Sequence, residues 1–316
     1  MALSRAGLSP LQAAGGIADG HLGAPSAPDH LADQTAADRN VVRPTMVGTR
    51  DRMVASAVAA ALSDECCTAL RAVQAITFDV QGTCVDFYRP LLRLGDSINQ
   101  AKSLSIDWAV MSSGWRALYR EVLDAVIYGH RPWLPVVEIY RETLDVLLED
   151  RGLASHFSTT ERDQLNGIWS RLEPWPDTVE GLRRLRQSYV TSTLSNAGMA
   201  TMVSIVKRAG LPFDAVLTAE LVQAYKPAAA VYQLAVDSLG YRPCQILMVA
   251  CHKYDLKAAR AFGMRTAFIA RPLEFGPGVD TDVTPESWID VPVSSLTELA
   301  DVLEIVTAPG VEAAST

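Results

Sequence analysis

The run Ala75-Ile76-Thr77-Phe78-Asp79-Val80-Gln81-Gly82-Thr83 decides the fold. Its first four residues form a short, β-rich apolar stretch, as expected of a strand buried on both faces. The apolar run stops at Asp79, and Gly82 and Thr83 lead the chain into a tight loop. Parallel α/β sheets place their sites where strands end in this way.

Downstream, helical periodicity runs from about Leu91 to Leu172. Val137, Tyr140, Leu144 and Leu147 recur at helical spacing, as do Leu165, Ile168, Trp169 and Leu172. Ser158 and Glu161 form a capping-box pair ahead of the second set. This reads as a helical insert over residues 91–175. After Pro174-Trp175-Pro176 the pattern becomes strand–helix alternation. The expected strands are Tyr189–Leu194, Ala215–Thr218, Ile246–Val249 and Thr266–Ile269, and one intervening helix ends at Gly263. Alternation of this kind predicts an α/β fold with a doubly wound parallel sheet, built from residues 71–90 and 176–305.

Upstream, residues 1 to about 50 are rich in Ala, Gly, Ser, Pro and Asp. Such a composition buries too little surface to offset chain entropy. Residues 1–70 are therefore expected to be a disordered or poorly packed extension with a short Ala-rich helix, order beginning near Ala72. Residues 306–316 are expected to be a flexible tail.

Composition narrows the functional class. Hydrophobic residues make up 49% and charged residues 20%, which suits a globular protein with a sizeable core. A net charge of -8 argues against a nucleic-acid binder. Cys66, Cys67, Cys84, Cys244 and Cys251 are odd in number and lack C-x-x-C spacing, so neither a disulfide framework nor a zinc site is expected. A reducing cytoplasm fits that usage. No apolar run approaches the ~18 residues that span a bilayer.

Four expected strand ends carry chemistry. Asp79 follows the first, Ser195-Asn196 the second, Lys226 comes shortly after the third, and His252 and Asp255 follow the fourth. A carboxylate attacks carbon or phosphorus only when its substrate is held in line, and a nearby cation offsets the charge of an anionic substrate. Each residue alone has a plainer reading as a cap, turn or solvated side chain. Their order and common placement favour a site.

In that order the segments resemble the motifs of the haloacid dehalogenase superfamily. Phe78 to Thr83 matches the first, Leu194-Ser195-Asn196 the second, Lys226-Pro227 with Val231-Tyr232 the third, and Val249 to Asp255 the fourth. The resemblance covers roughly residues 72 to 305 and implies a Rossmann-like core with a helical cap inserted after the first strand. Phosphatases of the superfamily carry a second Asp two residues after the nucleophile, as general acid. Gln81 stands there and cannot fill that role. Dehalogenases generally have an aromatic residue there, so Gln81 departs from both patterns.

The L-2-haloacid dehalogenase branch is the nearest likeness, because Trp115-Arg116 matches its cap Trp-Arg pair. The resemblance implies that Arg116 and Asn196 bind the departing halide and that Tyr232 is a pocket tyrosine. It also implies a two-step displacement. Asp79 attacks the α-carbon of a small 2-substituted carboxylate, and water positioned by Lys226 and Asp255 then hydrolyses the ester. Ser195, Thr83 and the backbone after Asp79 would hold the substrate carboxylate, with Gln81 beside them. No metal or cofactor is implied, and a homodimer is compatible with the branch. The fourth motif departs most, with Ala250, Cys251 and His252 where the branch has small hydroxyl and amide residues. His252 would orient water or substrate, or act as a base. Three alternatives remain open at this level: opening of a strained C–N ring such as azetidine-2-carboxylate, a Mg²⁺-dependent phosphatase, and a non-catalytic binding protein.

Overall fold

A computed structural model describes residues 46–308. The expected extension over residues 1–45 and the tail beyond 308 lie outside the described residues. Two helices come first, α1 (Met46–Ala61) and α2 (Asp64–Arg71). They correct the expectation that order begins near Ala72, because both pack against the last helix, α11 (Leu296–Thr307). Ala55 and Leu70 are fully buried there. Small Ala and Val side chains cover a neighbouring helix well enough to order a segment that composition alone marks as weak. The Ser63 hydroxyl caps α2 by accepting from Cys66 N at 3.2 Å.

The core is a parallel sheet. It contains β1 (Ala75–Phe78), β4 (Val190–Thr193), β5 (Ile246–Ala250), β6 (Arg265–Ile269) and β7 (Val291–Val293) in the order β4-β1-β5-β6-β7. A separate two-stranded antiparallel ribbon pairs β2 (Val85–Asp86) with β3 (Glu173–Pro174). The chain leaves the core through this ribbon and returns through it. Between the two strands lie α3 (Tyr88–Lys102), α4 (Trp108–Ile127), α5 (Val136–Asp150) and α6 (Thr159–Asn166). The core then continues with α7 (Thr178–Leu185), α8 (Met199–Ala209), α9 (Ala229–Leu239) and α10 (Lys253–Phe262). The whole is a Rossmann-like α/β fold.

Local chemistry explains the elements. All four β1 residues are buried, so no polar face alternates with the apolar one. The capping box of Ser158 and Glu161 opens α6, and Gly263 closes α10 in the left-handed region. In α5, Tyr140, Leu144 and Leu147 face inward, while Val137 is on the outside. Trp115, Tyr140 and Trp169 form the aromatic centre of the insert, with Tyr140 and Trp169 stacked at 4.0 Å.

Two strand expectations need correction. Ala215–Thr218 is not a ladder strand, although its backbone bridges the sheet at Ser192–Ala215 and Ser195–Thr218. The Thr193 hydroxyl interrupts the ladder, donating to Leu217 O at 2.8 Å and accepting from Leu217 N at 2.9 Å, while Ser195 N also donates to Leu217 O at 3.4 Å. Val291–Val293 is an additional strand at the opposite edge. Pro292 at its centre is tolerated because an edge strand has one side unpaired.

Among the described residues no single helix is long and apolar enough to cross a membrane, and all five cysteines are free thiols.

Candidate active site

Sheet register builds the site. Phe78 lies opposite Thr193 on one side and Val249 on the other, so three strands end together. Asp79, Ser195-Asn196 and Cys251-His252 therefore emerge at one edge. Asp79 N donates to Val249 O at 2.9 Å, which pins the residue to the neighbouring strand. Gly82 turns the following loop with a φ of 88°. Trp175 Nε1 donates to Gly82 O at 2.8 Å and Arg271 Nε to Thr83 O at 2.9 Å. Arg271 is itself fixed by a bidentate pair with Asp177 at 2.8 and 2.9 Å.

Asp79 sits at the centre of a buried polar network. Its Oδ1 accepts from Lys226 Nζ at 2.9 Å, and its Oδ2 accepts from the Thr83 hydroxyl at 2.8 Å. His252 Nδ1 lies 3.1 Å from the same Oδ2. Lys226, 1% exposed, also donates to Asp255 Oδ2 at 2.5 Å, and the Tyr232 hydroxyl donates to Asp255 Oδ1 at 2.7 Å. Asn196 Oδ1 accepts from Lys226 N at 2.8 Å and so fixes the backbone that carries the lysine.

Burial by itself would raise the Asp79 pKa, but Lys226 and His252 pull it well below the ordinary carboxylate range. Asp255 goes the other way: full burial and the repulsion of Asp79 raise it, only partly offset by Lys226. Burial likewise opposes a charged imidazole, yet Cys251, Glu274 and the hydrogen bond to Asp79 hold His252 well above the ordinary histidine value. Burial raises the Cys251 thiol, so it is no ready nucleophile. The arrangement keeps Asp79 ionised while leaving it 7% exposed.

That exposed part faces a cavity of about 380 Å³ between the strand ends and the helical insert. Gln81, Ser195, Asn196 and His252 line it beside Asp79, and α4 contributes Arg116 and Tyr119. The Arg116 guanidinium is held by aromatic faces, 4.8 Å from the Phe87 ring centre and 5.0 Å from that of Tyr119. Its Nη1 donates to the Tyr140 hydroxyl at 2.5 Å. Arg116 Nε and Gln81 Nε2 are buried donors without a protein acceptor. Such unpaired buried donors are costly.

The expected residues thus divide by direction. Asp79, Gln81, Arg116, Ser195, Asn196 and His252 line the cavity, and Lys226 and Asp255 lie directly beneath. Two expectations are corrected. Thr83 does not face the substrate space: it is fully buried, donates to Asp79 and accepts from Cys251 N at 2.9 Å. Tyr232 is not a pocket tyrosine, since its ring is fully buried and its hydroxyl is spent on Asp255. Sequence reading missed Tyr119, Tyr254, Phe275 and Glu274. Tyr119 was findable, because it shares a helical face with Arg116 at i+3. Glu274, on the loop after β6, carries no local signal beyond following a strand.

The cluster also bears on a divalent-cation site. Asp79, Cys251 and His252 converge, with one polar atom of each within 4.8 Å of the others. Mg²⁺ takes oxygen ligands, so the thiol and imidazole of this cluster do not suit it.

A parallel sheet whose strand ends gather carboxylates beneath a helical insert defines a class of protein, those with a Rossmann-like core and a site at the carboxyl ends of its strands. The profile of the haloacid dehalogenase-like hydrolases matches residues 73–263, and the chain belongs to that family. It is 29% identical over 207 residues to (S)-2-haloacid dehalogenase 4A of Burkholderia cepacia, covering 63% of this chain and 84% of the relative. Among solved structures it is similar to an L-2-haloacid dehalogenase, at 37% identity and a TM-score of 0.71 over 74% of this chain and 99% of that one. A defluorinating L-2-haloacid dehalogenase is 33% identical, with a TM-score of 0.71 over 73% of this chain and 95% of that one.

Proposed function

We propose that this chain is a hydrolytic dehalogenase of small 2-haloalkanoic acids, working through an Asp79 ester and without a metal. The observation that carries the reading is the placing, across one cavity, of an ionised strand-end carboxylate and the Arg116 guanidinium of the helical insert. Displacement at carbon needs a nucleophile on one side and a leaving group departing on the other. Asp79 belongs to the sheet edge and Arg116 to the insert, which supplies those two sides. The names of the relatives, dehalogenases of (S)- or L-2-haloacids, agree with this reading.

In the first step Asp79 Oδ2 bonds to the α-carbon, and the carbon–halogen pair leaves with the halide toward Arg116 and Asn196. Ser195 and the backbone after Asp79 hold the substrate carboxylate. In the second step water adds to the Asp79 carbonyl carbon, and Lys226 at Oδ1 stabilises the oxyanion. The Cγ–O bond to the substrate then breaks, releasing a 2-hydroxy acid with an inverted centre. A halide leaves without needing a proton, so Gln81 in place of a general acid is no obstacle.

The test is chloride release from each enantiomer of 2-chloropropionate in EDTA, with single turnover in ¹⁸O-water. Release that survives EDTA and places label first in Asp79 supports the reading. Phosphate-ester hydrolysis without halide release, or label appearing directly in the product, overturns it.

A further inference from the structure

The His252 imidazole is held at both ends by carboxylates. Nδ1 lies 3.1 Å from Asp79 Oδ2, and Nε2 lies 2.8 Å from Glu274 Oε1. Glu274 is buried at 2% exposure, and its other oxygen accepts from the Cys251 thiol at 3.6 Å. The fold makes room for this contact: a Cβ on Gly82 would overlap the Glu274 carboxylate. The two carboxylates have different fates. Asp79 becomes an ester in each turnover, whereas Glu274 is never consumed. The chemistry itself therefore changes the charge beside His252 once per cycle.

Resting on the dehalogenase reading, we propose that His252 is the base of ester hydrolysis, that Glu274 positions it, and that the proton of each turnover leaves with the halide. In the free enzyme the doubly protonated ring donates Nδ1–H to Asp79 and Nε2–H to Glu274. Asp79 Oδ2 then bonds to carbon, halide departs with the bonding pair, and the negative charge at Oδ2 disappears. A cation flanked by one carboxylate is less favoured than one flanked by two. His252, whose side chain is 18% exposed, gives its Nδ1 proton to solvent. Water next adds to Cγ and passes one proton to the vacant Nδ1. Its second proton ends on the product hydroxyl as the Cγ–O bond breaks. The cycle closes with Asp79 ionised and His252 protonated, and one proton and one halide are released per substrate.

The groups around the ring are consistent with that order. On its own segment it faces the Cys251 thiol at 3.6 Å and the Tyr254 ring at 5.7 Å. The neighbouring Lys253 is occupied by Asp282 at 2.5 Å. From β1 comes Asp79, backed by Lys226, and from the loop after β6 comes Glu274, within electrostatic reach of Arg116. Asp79 is thus the partner whose charge changes during the reaction.

Single turnover of (S)-2-chloropropionate in weak buffer with a pH indicator tests this, with chloride and the Asp79 ester followed in quenched samples. The wild-type enzyme should release one proton in the chloride phase, ahead of ester loss. His252→Asn should slow ester loss by about 10²-fold, a typical contribution of a general base, and move proton release into that slower phase. Glu274→Gln should lower turnover with the loss falling on ester hydrolysis, so that the ester accumulates. Proton release in the hydrolysis phase of the wild type overturns the assignment, as does equal slowing of both phases in Glu274→Gln, and either result leaves the dehalogenase reading intact. A wild-type enzyme that releases no chloride overturns that reading and the inference with it.

Discussion

Lys226→Met would remove the cation shared by two buried carboxylates while nearly preserving side-chain volume. Lys226 Nζ lies 2.9 Å from Asp79 and 2.5 Å from Asp255, and the three residues are 1%, 7% and 0% exposed. Removing one partner of a buried ion pair costs about 3–5 kcal/mol. Without Lys226 the two neighbouring carboxylates cannot both stay ionised, and the repulsion between them raises their pKa. Against a typical domain stability of about 5–15 kcal/mol, a cost of about 3–5 kcal/mol is a large fraction.

The pH dependence distinguishes this cause from a packing defect. A carboxylate whose folded pKa is raised above its unfolded value of about 3.9 incurs no penalty below that value. The penalty grows as pH rises until the folded pKa is passed. Urea unfolding followed by circular dichroism should therefore place Lys226→Met about 3–5 kcal/mol below wild type near pH 8, with a smaller gap near pH 4, where the mutant's penalty is absent but the wild type still gains from its ionised Asp79. Adding Asp255→Asn should recover part of the loss at the higher pH only. A difference under about 1 kcal/mol near pH 8, or one of equal size at both pH values, would refute the charge argument.

Other perturbations probe the rest of the site. Gly82→Ala meets both a φ of 88° and the Glu274 carboxylate, so it should cost about 1–3 kcal/mol in thermal unfolding and slow turnover together. Arg116→Lys replaces a planar guanidinium held among aromatic rings, and should lower the chloride-release rate by about 10²–10³-fold with unfolding unchanged. His252 has a raised folded pKa, so its stabilising charge is fully present below the unfolded value of about 6.5 and is lost as pH rises through the folded one. The stability gap between wild type and His252→Gln should accordingly be widest near pH 6 and narrow in alkaline urea titrations. Asp79 is held below the ordinary range, so chloride release should show no acid limb from this carboxylate between about pH 5 and 8.

How much of this was legible in sequence depended on whether a feature is local. The strands β1 and β5 could be read because short apolar runs buried on both faces have few other uses, and β4 and β6 because they fall in turn in the strand–helix alternation. The edges were not legible. At one edge the side-chain hydroxyl of Thr193 interrupts the ladder, and at the other Pro292 disguises a strand. The packing of α1 and α2 on α11 joins segments more than two hundred residues apart, as in the bond from Arg71 Nε to Val306 O at 3.0 Å. No composition window can register such a partner.

The same distinction explains the site. A strand end dictates where a residue emerges, and sequence order recovers that well: Asp79, Asn196, Lys226, His252 and Asp255 do meet. It does not dictate which way a side chain turns, because that depends on which hydrogen-bond partner is nearest once the strands are assembled. Thr83 lies four residues from Asp79 yet turns under it, since Cys251 N offers its hydroxyl a donor and Asp79 an acceptor. Tyr232 turns under Asp255 for the same reason. Glu274 shows the converse. Nothing in its own neighbourhood marks it, but His252 lacks a second carboxylate until the loop after β6 folds over Gly82. A glycine at residue 82 and a histidine at residue 252 are thus two halves of one requirement, and replacing Gly82 should disturb the chemistry of His252 through Glu274 although Gly82 bears no reacting group.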